Sequence, residues 1–115
     1  MKYLYLIPII LILYLIYNQI KLYNYKLSSN KAKELIKSGQ IDYIIDIRTK
    51  EEWNKGHHPN AIHIPLGTFP ENINKKSRIL IYCRTGRRTK IALQQYIKKG
   101  YKNIYYIEGN YKLIV

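Results

Sequence analysis

The residues best placed to do chemistry are Cys83-Arg84-Thr85-Gly86-Arg87-Arg88-Thr89. Cys83 is the single cysteine of the 115-residue chain, which excludes an internal disulfide framework and any Cys₂ or Cys₄ metal site. It follows the apolar run Ile79-Leu80-Ile81-Tyr82 and precedes a stretch of helical pattern. A cysteine between a buried strand and a helix occupies an anion cradle. The N–H groups of a short loop can converge on it, and the helix N-terminus adds its positive end. Arg84, Arg87 and Arg88 add full charges, and Gly86 permits a positive φ or a close backbone approach. Each effect favours the thiolate, the nucleophilic form of cysteine, and the same field would hold an anionic substrate. The competing reading makes Cys83 a small buried hydrophobe at a strand end. His57, His58 and His63 do not have metal-ligand spacing, so neither a metal nor a cofactor is expected. His57 and His58 read instead as shaping a turn before Pro59.

The elements that must position this loop alternate between strand and helix. Ser28-Ser29-Asn30 offers N-caps for a helix through Ser38 that Gly39 stops. Tyr43–Ile47 is a β-branched run too short for a helix and reads as a buried strand. Thr49 caps a short helix over Lys50–Trp53, ended by Gly56. Ala61–Ile64 is a third extended run, closed by Pro65, and Ile79–Tyr82 has the strongest strand pattern. Thr89–Lys99 reads as a helix with Ala92, Leu93, Tyr96 and Ile97 inward and Gly100 behind it, before a last strand at Ile104–Ile107. Such alternation predicts an α/β domain with a mainly parallel sheet flanked by helices. In open folds of this class ligands sit at the carboxyl ends of strands, where Cys83 falls.

Composition bounds the function. The chain carries 20 Lys+Arg against 7 Asp+Glu, a net charge of +13, and its size allows one domain. Ile, Lys, Tyr and Asn make up half of the residues, a bias that an A/T-rich genome produces without selection on the protein. The lysines are scattered, with no basic run longer than two residues, so a nucleic-acid interface is not expected.

The amino-terminal segment has a different character. Tyr3–Ile20 holds 18 residues without a charge, which as a helix would span roughly 27 Å, close to a hydrocarbon core. Apolar residues fall on every face, tyrosines lie at both ends, and no small-residue cleavage site follows. The expected organisation is a single-pass transmembrane anchor over residues 1–20, a linker over 21–27 and a folded domain over 28–115. Lys21, Lys26, Lys31 and Lys33 lean that domain toward the cytosol.

The chain resembles the rhodanese-like family. The resemblance runs through Ile45-Asp46-Ile47-Arg48, Glu51-Glu52-Trp53-Asn54-Lys55-Gly56-His57 and Pro59-Asn60-Ala61-Ile62-His63-Ile64-Pro65. It resumes at Ile81 to Thr89, Gly100-Tyr101-Lys102-Asn103-Ile104 and Glu108-Gly109, together spanning about residues 28 to 111. It implies a small α/β domain whose catalytic loop joins a central strand to a helix, and sulfur transfer through a persulfide on Cys83. The donor would be a small sulfur anion such as thiosulfate, and the acceptor a thiol or cyanide. Loop amides from Arg84 to Thr89 would stabilise developing charge, and Arg84, Arg87 and Arg88 would orient the donor. Asp46 and Arg48 would organise the site, with a contact between Asp46 and Arg88 expected, and Glu52 and His57 would be structural.

Related cysteine phosphatases place five residues between nucleophile and arginine. Four separate Cys83 from Arg88 here, a loop suited to the smaller sulfur centre. The chain departs from the family after Glu108-Gly109, where relatives have Gly-Gly-aromatic and a further helix. This one has Gly109-Asn110-Tyr111 and reaches Val115 four residues later, which would leave one sheet face less covered. The stretch from Thr68 to Lys76 is also short and weakly helical. The reading from another class is a non-enzymatic rhodanese-like module that docks a partner or carries sulfur at a membrane.

Overall fold

The computed structural model describes residues 2–23, 25–84 and 86–115. Four strands, β1 (Tyr43–Asp46), β2 (Ala61–His63), β3 (Ile79–Tyr82) and β4 (Ile104–Tyr106), form one parallel sheet in the order β2-β1-β3-β4. The helices are α1 (Leu6–Tyr23), α2 (Ser29–Lys37), α3 (Lys50–Asn54) and α4 (Arg87–Lys98), and a 3₁₀ turn covers Tyr111–Ile114. The α/β architecture read from the sequence is thus present. The connector also ends in an extended edge: Lys26 bridges Tyr106 in parallel, with the Leu27 N–H donating to the Tyr106 carbonyl at 2.8 Å.

The two-residue period of β3 explains both faces of the sheet. Ile79, Ile81 and Cys83 point into one buried cluster with Ile45, Ile47, Ala92, Leu93, Tyr96 and Ile104. Leu80 and Tyr82 point the other way, toward Ala32, Ile44, Ile107 and Ile114. Buried on both faces, β3 needs apolar side chains at every position, and Ile-Leu-Ile-Tyr supplies them. Each buried aliphatic chain contributes about 1.5–3 kcal/mol. The weakly helical stretch after Pro65 forms no helix but still covers the α4 face, with Leu66, Phe69 and Ile73 packed against the cluster and Phe69 5.2 Å from the Tyr96 ring. On the opposite face α2 packs beside the 3₁₀ turn, whose Ile114 is buried where a further helix was missed.

Local signals fix the helix ends. The Ser28 hydroxyl accepts from the Lys31 N–H. Thr49 and Glu52 form a reciprocal capping box at α3. The helix α4 starts at Arg87, two residues before the predicted Thr89, so Arg87 and Arg88 lie in its first turn.

The expected transmembrane anchor is not supported: among the described residues, no helix is long and apolar enough to cross a membrane. Residues 3–5 form a turn, so the charge-free helical run is confined to Leu6–Ile20. At about 1.5 Å per residue that run reaches about 22 Å, short of a hydrocarbon core of about 30 Å. The helix then continues through Lys21 to Tyr23, into the segment read as linker. The single-pass location and the cytosolic lean built on the anchor fall with it.

Candidate active site

Cys83 follows the last residue of β3, and four residues later, at Arg87, the chain enters α4. The turn between them depends on Gly86, buried at φ +82. A Cβ there would meet Glu108 Cγ at 2.8 Å and would have to adopt the left-handed region. In this conformation the Gly86 N–H points back and donates to Cys83 Sγ at 3.2 Å. As the N-cap of α4, Gly86 brings no side chain to the first-turn N–H groups, which therefore remain without a capping oxygen next to the sulfur. The Thr89 hydroxyl donates to the Gly86 carbonyl at 2.6 Å and lies 3.8 Å from Sγ, locking the turn from inside the helix. Thr85, also expected to bind substrate, lies outside the described residues.

The sulfur sits at the floor of a polar cleft of about 280 Å³, lined by Arg48, Glu52, Lys55, Cys83, Arg84, Asn110 and Tyr111. Two arginines beside it are held by carboxylates. Asp46, fully buried at the end of β1, accepts from the Arg48 main-chain N–H at 2.9 Å, from Nε at 3.0 Å and from Nη2 at 2.7 Å. Arg48 also donates to the Gly56 carbonyl at 2.7 Å, and its own carbonyl accepts from His63 Nε2 at 2.7 Å. Two buried charges satisfied this fully tolerate each other's burial, whereas removing one would leave the other stranded. Behind them the Tyr82 hydroxyl accepts from the His58 N–H at 3.1 Å. Burial, followed by the Asp46 carboxylate, pushes the Tyr82 phenol above its ordinary range. Tyr111 closes this side: its ring lies 5.2 Å from the Arg48 guanidinium, and its hydroxyl occupies the space a Gly56 Cβ would need.

Arg88 does not reach Asp46. It forks onto Glu52 instead, with Nη1–Oε1 at 2.6 Å and Nη2–Oε2 at 2.9 Å. The capping box of α3 already holds Glu52 by the Thr49 N–H at 3.2 Å and hydroxyl at 3.1 Å. Arg88 chiefly, and Thr49 in addition, hold the Glu52 carboxyl down at about 2. Among the described residues Arg84 makes no ion pair. Arg87 is exposed and does not line the cleft.

The structure thus brings Cys83, Gly86, Thr89, Arg84, Arg48 and Asp46 to one place, turns Arg88 onto Glu52 and leaves Arg87 outside. The histidines are used elsewhere. His57 and His63 both stack on the Trp53 ring system, at centroid distances of 3.4 and 4.9 Å. His58 is buried, and burial depresses its pKa. Sequence reasoning missed Lys55, Asn110 and Tyr111 as cleft residues, and it read Glu52 as structural only. The Thr49-x-x-Glu52 capping pattern was a readable signal for the last.

Comparison with known proteins agrees with this geometry. A family model described as the rhodanese-like domain matches residues 28–115. The YrkF protein of Bacillus subtilis, named as a sulfur carrier, is 33% identical over 82 residues, covering 69% of this chain and 44% of its own length. The tRNA uridine(34) hydroxylase of Photorhabdus laumondii is 31% identical over 97 residues, covering 70% of this chain and 28% of the hydroxylase. The chain spans less than half the length of both curated relatives. Among solved structures, the human single-domain sulfurtransferase TSTD1 shares the fold at a TM-score of 0.67 and 24% identity, over 77% of this chain and 93% of that one.

Proposed function

The chain belongs to the rhodanese-like domain family, and we propose that it is a sulfurtransferase working through a persulfide on Cys83. The observation that carries this reading is the Gly86 N–H on Cys83 Sγ, with Cys83 among the residues lining a polar cleft that also holds Arg48, Lys55 and Arg84. In the first half-reaction the Cys83 thiolate attacks the outer sulfur of thiosulfate or a similar donor. A Cys83–sulfur bond forms, the donor's S–S bond breaks, and the electron pair leaves with sulfite. The persulfide then carries its charge on the outer sulfur, beside the uncapped first turn of α4. In the second half a thiolate or cyanide attacks that outer sulfur, and the pair returns to Cys83.

Each nearby group has a role in this scheme. The loop amides and Gly86 hold the sulfur, Thr89 braces the turn, and Arg84 meets the incoming anion. Asp46 and Arg48 fix the far wall. A second reading, a sulfur carrier that loads but does not turn over, is favoured by the likeness to YrkF.

The test uses the full chain beside Cys83→Ser. Incubation with thiosulfate, desalting and intact mass should show one added sulfur in wild type and none in the variant. Thiocyanate formation on adding cyanide marks the enzyme; loading without turnover over small acceptors marks the carrier. A folded wild type that gains no sulfur from thiosulfate or from a persulfide donor refutes both.

A further inference from the structure

We propose that Glu52 is a specificity-determining residue that sets how many negative charges the donor can carry. The inference rests on the sulfurtransfer reading and deepens it. Three cationic side chains line the cleft, Arg48, Lys55 and Arg84, and a fourth, Arg88, pairs with the lining residue Glu52. Arg48 is matched by buried Asp46 at 2.7 Å. Lys55 lies 3.6 Å from Glu51 with both side chains largely exposed, a loose surface contact. Arg88 is matched by Glu52, and this pair differs from the other two because its carboxylate itself faces the cleft.

A donor approaching Cys83 therefore meets the negative member of the pair in the cleft lining, while the guanidinium of the positive member is committed to it. The fork that would hold an oxyanion of the donor is already filled by a carboxylate in the same bidentate geometry. Glu52 cannot yield easily, since Thr49 anchors the same Oε1 through its N–H and hydroxyl. Its depressed pKa keeps it ionised throughout the physiological range. A dianion opposite an anionic thiolate feels this carboxylate twice over, and a monoanion feels it once. The wall charge thus biases the cleft toward donors with one negative charge or none, the class to which alkyl persulfides and thiosulfonates belong.

Glu52→Gln tests this with little change of shape. The amide oxygen still accepts from the Thr49 N–H, while the charge disappears and Arg88 is freed toward the cleft. The donors are thiosulfate, a dianion, and methanethiosulfonate, a monoanion in which a methyl replaces one oxygen. Both are assayed on the full chain with cyanide as acceptor, alongside Glu52→Asp, which restores the charge.

In Glu52→Gln, kcat/KM for thiosulfate should rise about tenfold, mostly through KM, and that for methanethiosulfonate about threefold, so their ratio shifts about threefold. Glu52→Asp should keep the wild-type ratio. Thermal melts of all three proteins check the fold. An unchanged ratio in folded Glu52→Gln, a fall in thiosulfate turnover, or a Glu52→Asp variant that behaves like Glu52→Gln would overturn the assignment and leave sulfur transfer standing. Failure of both donors to load wild-type Cys83 would overturn both.

Discussion

Gly86→Ala separates what the cysteine loop needs for folding from what it needs for chemistry. The new Cβ meets two obstacles. Holding alanine at φ +82 costs about 1–2 kcal/mol. The methyl also falls 2.8 Å from Glu108 Cγ, so Glu108 must leave its exposed contacts with Lys26 at 3.3 Å and Lys90 at 3.6 Å. Such surface pairs contribute at most about 1 kcal/mol together. The total is about 2 kcal/mol, or a fall in Tm of about 8–15 °C for a domain of this size. If the backbone relieves the strain by leaving the left-handed region, the Gly86 N–H turns away from Cys83 Sγ. A hydrogen bond to an anion is worth about 1.5–3 kcal/mol, so persulfide formation should slow about 10–100-fold. The assays are a thermal melt and a single-turnover measurement of sulfur loading by intact mass. Adding Glu108→Ala should recover the steric part of the Tm loss and none of the rate. A Gly86→Ala protein with wild-type Tm would refute the strain argument; one with wild-type loading would show the N–H contact to be chemically idle.

Two further predictions follow from the charges. Arg84→Ala should raise KM for thiosulfate about tenfold, whereas Arg87→Ala should change it less than about twofold, because Arg84 lines the cleft and Arg87 does not; equal effects would mean that the cleft is misassigned. Stability should fall on acidification in two stages. His58, its pKa lowered by burial, contributes stability that is present above its ordinary 6.5 and lost as pH drops through it. Glu52 and Asp42, both held at about 2 by arginines, contribute stability that is present above the ordinary carboxylate range and lost as pH falls toward 2. Melts from pH 8 to pH 2 should show both stages, with the second diminished in Glu52→Gln; an unaltered second stage in that variant would place the loss elsewhere.

How far the sequence could be read depended on the range of each interaction. β3 was legible because four apolar residues in a row have few alternatives, and its alternation already put Cys83 and Tyr82 on opposite faces. Ser28, Thr49, Gly39 and Gly100 signalled helix ends through local chemistry. The start of α4 was not legible for a related reason. Its N-cap is a glycine with no side-chain oxygen to announce it, and Thr89, where the helix was expected to begin, spends its hydroxyl on the Gly86 carbonyl from within the helix. The Arg88–Glu52 pair spans 36 residues and required knowing that α3 would be brought beside the first turn of α4. Asp46 found a partner two residues away, a local solution that pre-empted the expected reach to Arg88. The amino-terminal segment was misread because hydropathy counts residues, whereas crossing a membrane depends on helical length. A turn over residues 3–5 removes part of that length.

The arginine count near Cys83 overstated the positive charge available for catalysis, because carboxylates hold two of the arginines near the cleft. The carboxylates that matter come from two different elements, Asp46 at the end of β1 and Glu52 in α3, and each takes one arginine into a bidentate contact. These pairs build the walls. Their guanidiniums are held in place by geometry, so their charge is largely spent before a substrate arrives. What remains is local and directional: the Gly86 N–H, the uncapped turn of α4, Arg84, which makes no ion pair among the described residues, and Lys55, held only loosely by Glu51. Such groups act within a hydrogen bond's reach and discriminate among anions, whereas the scattered lysines behind the net charge of +13 act over about a Debye length and attract every anion alike. Selectivity at Cys83 therefore depends on the few charges left unmatched, and the carboxylate of Glu52 decides how many those are.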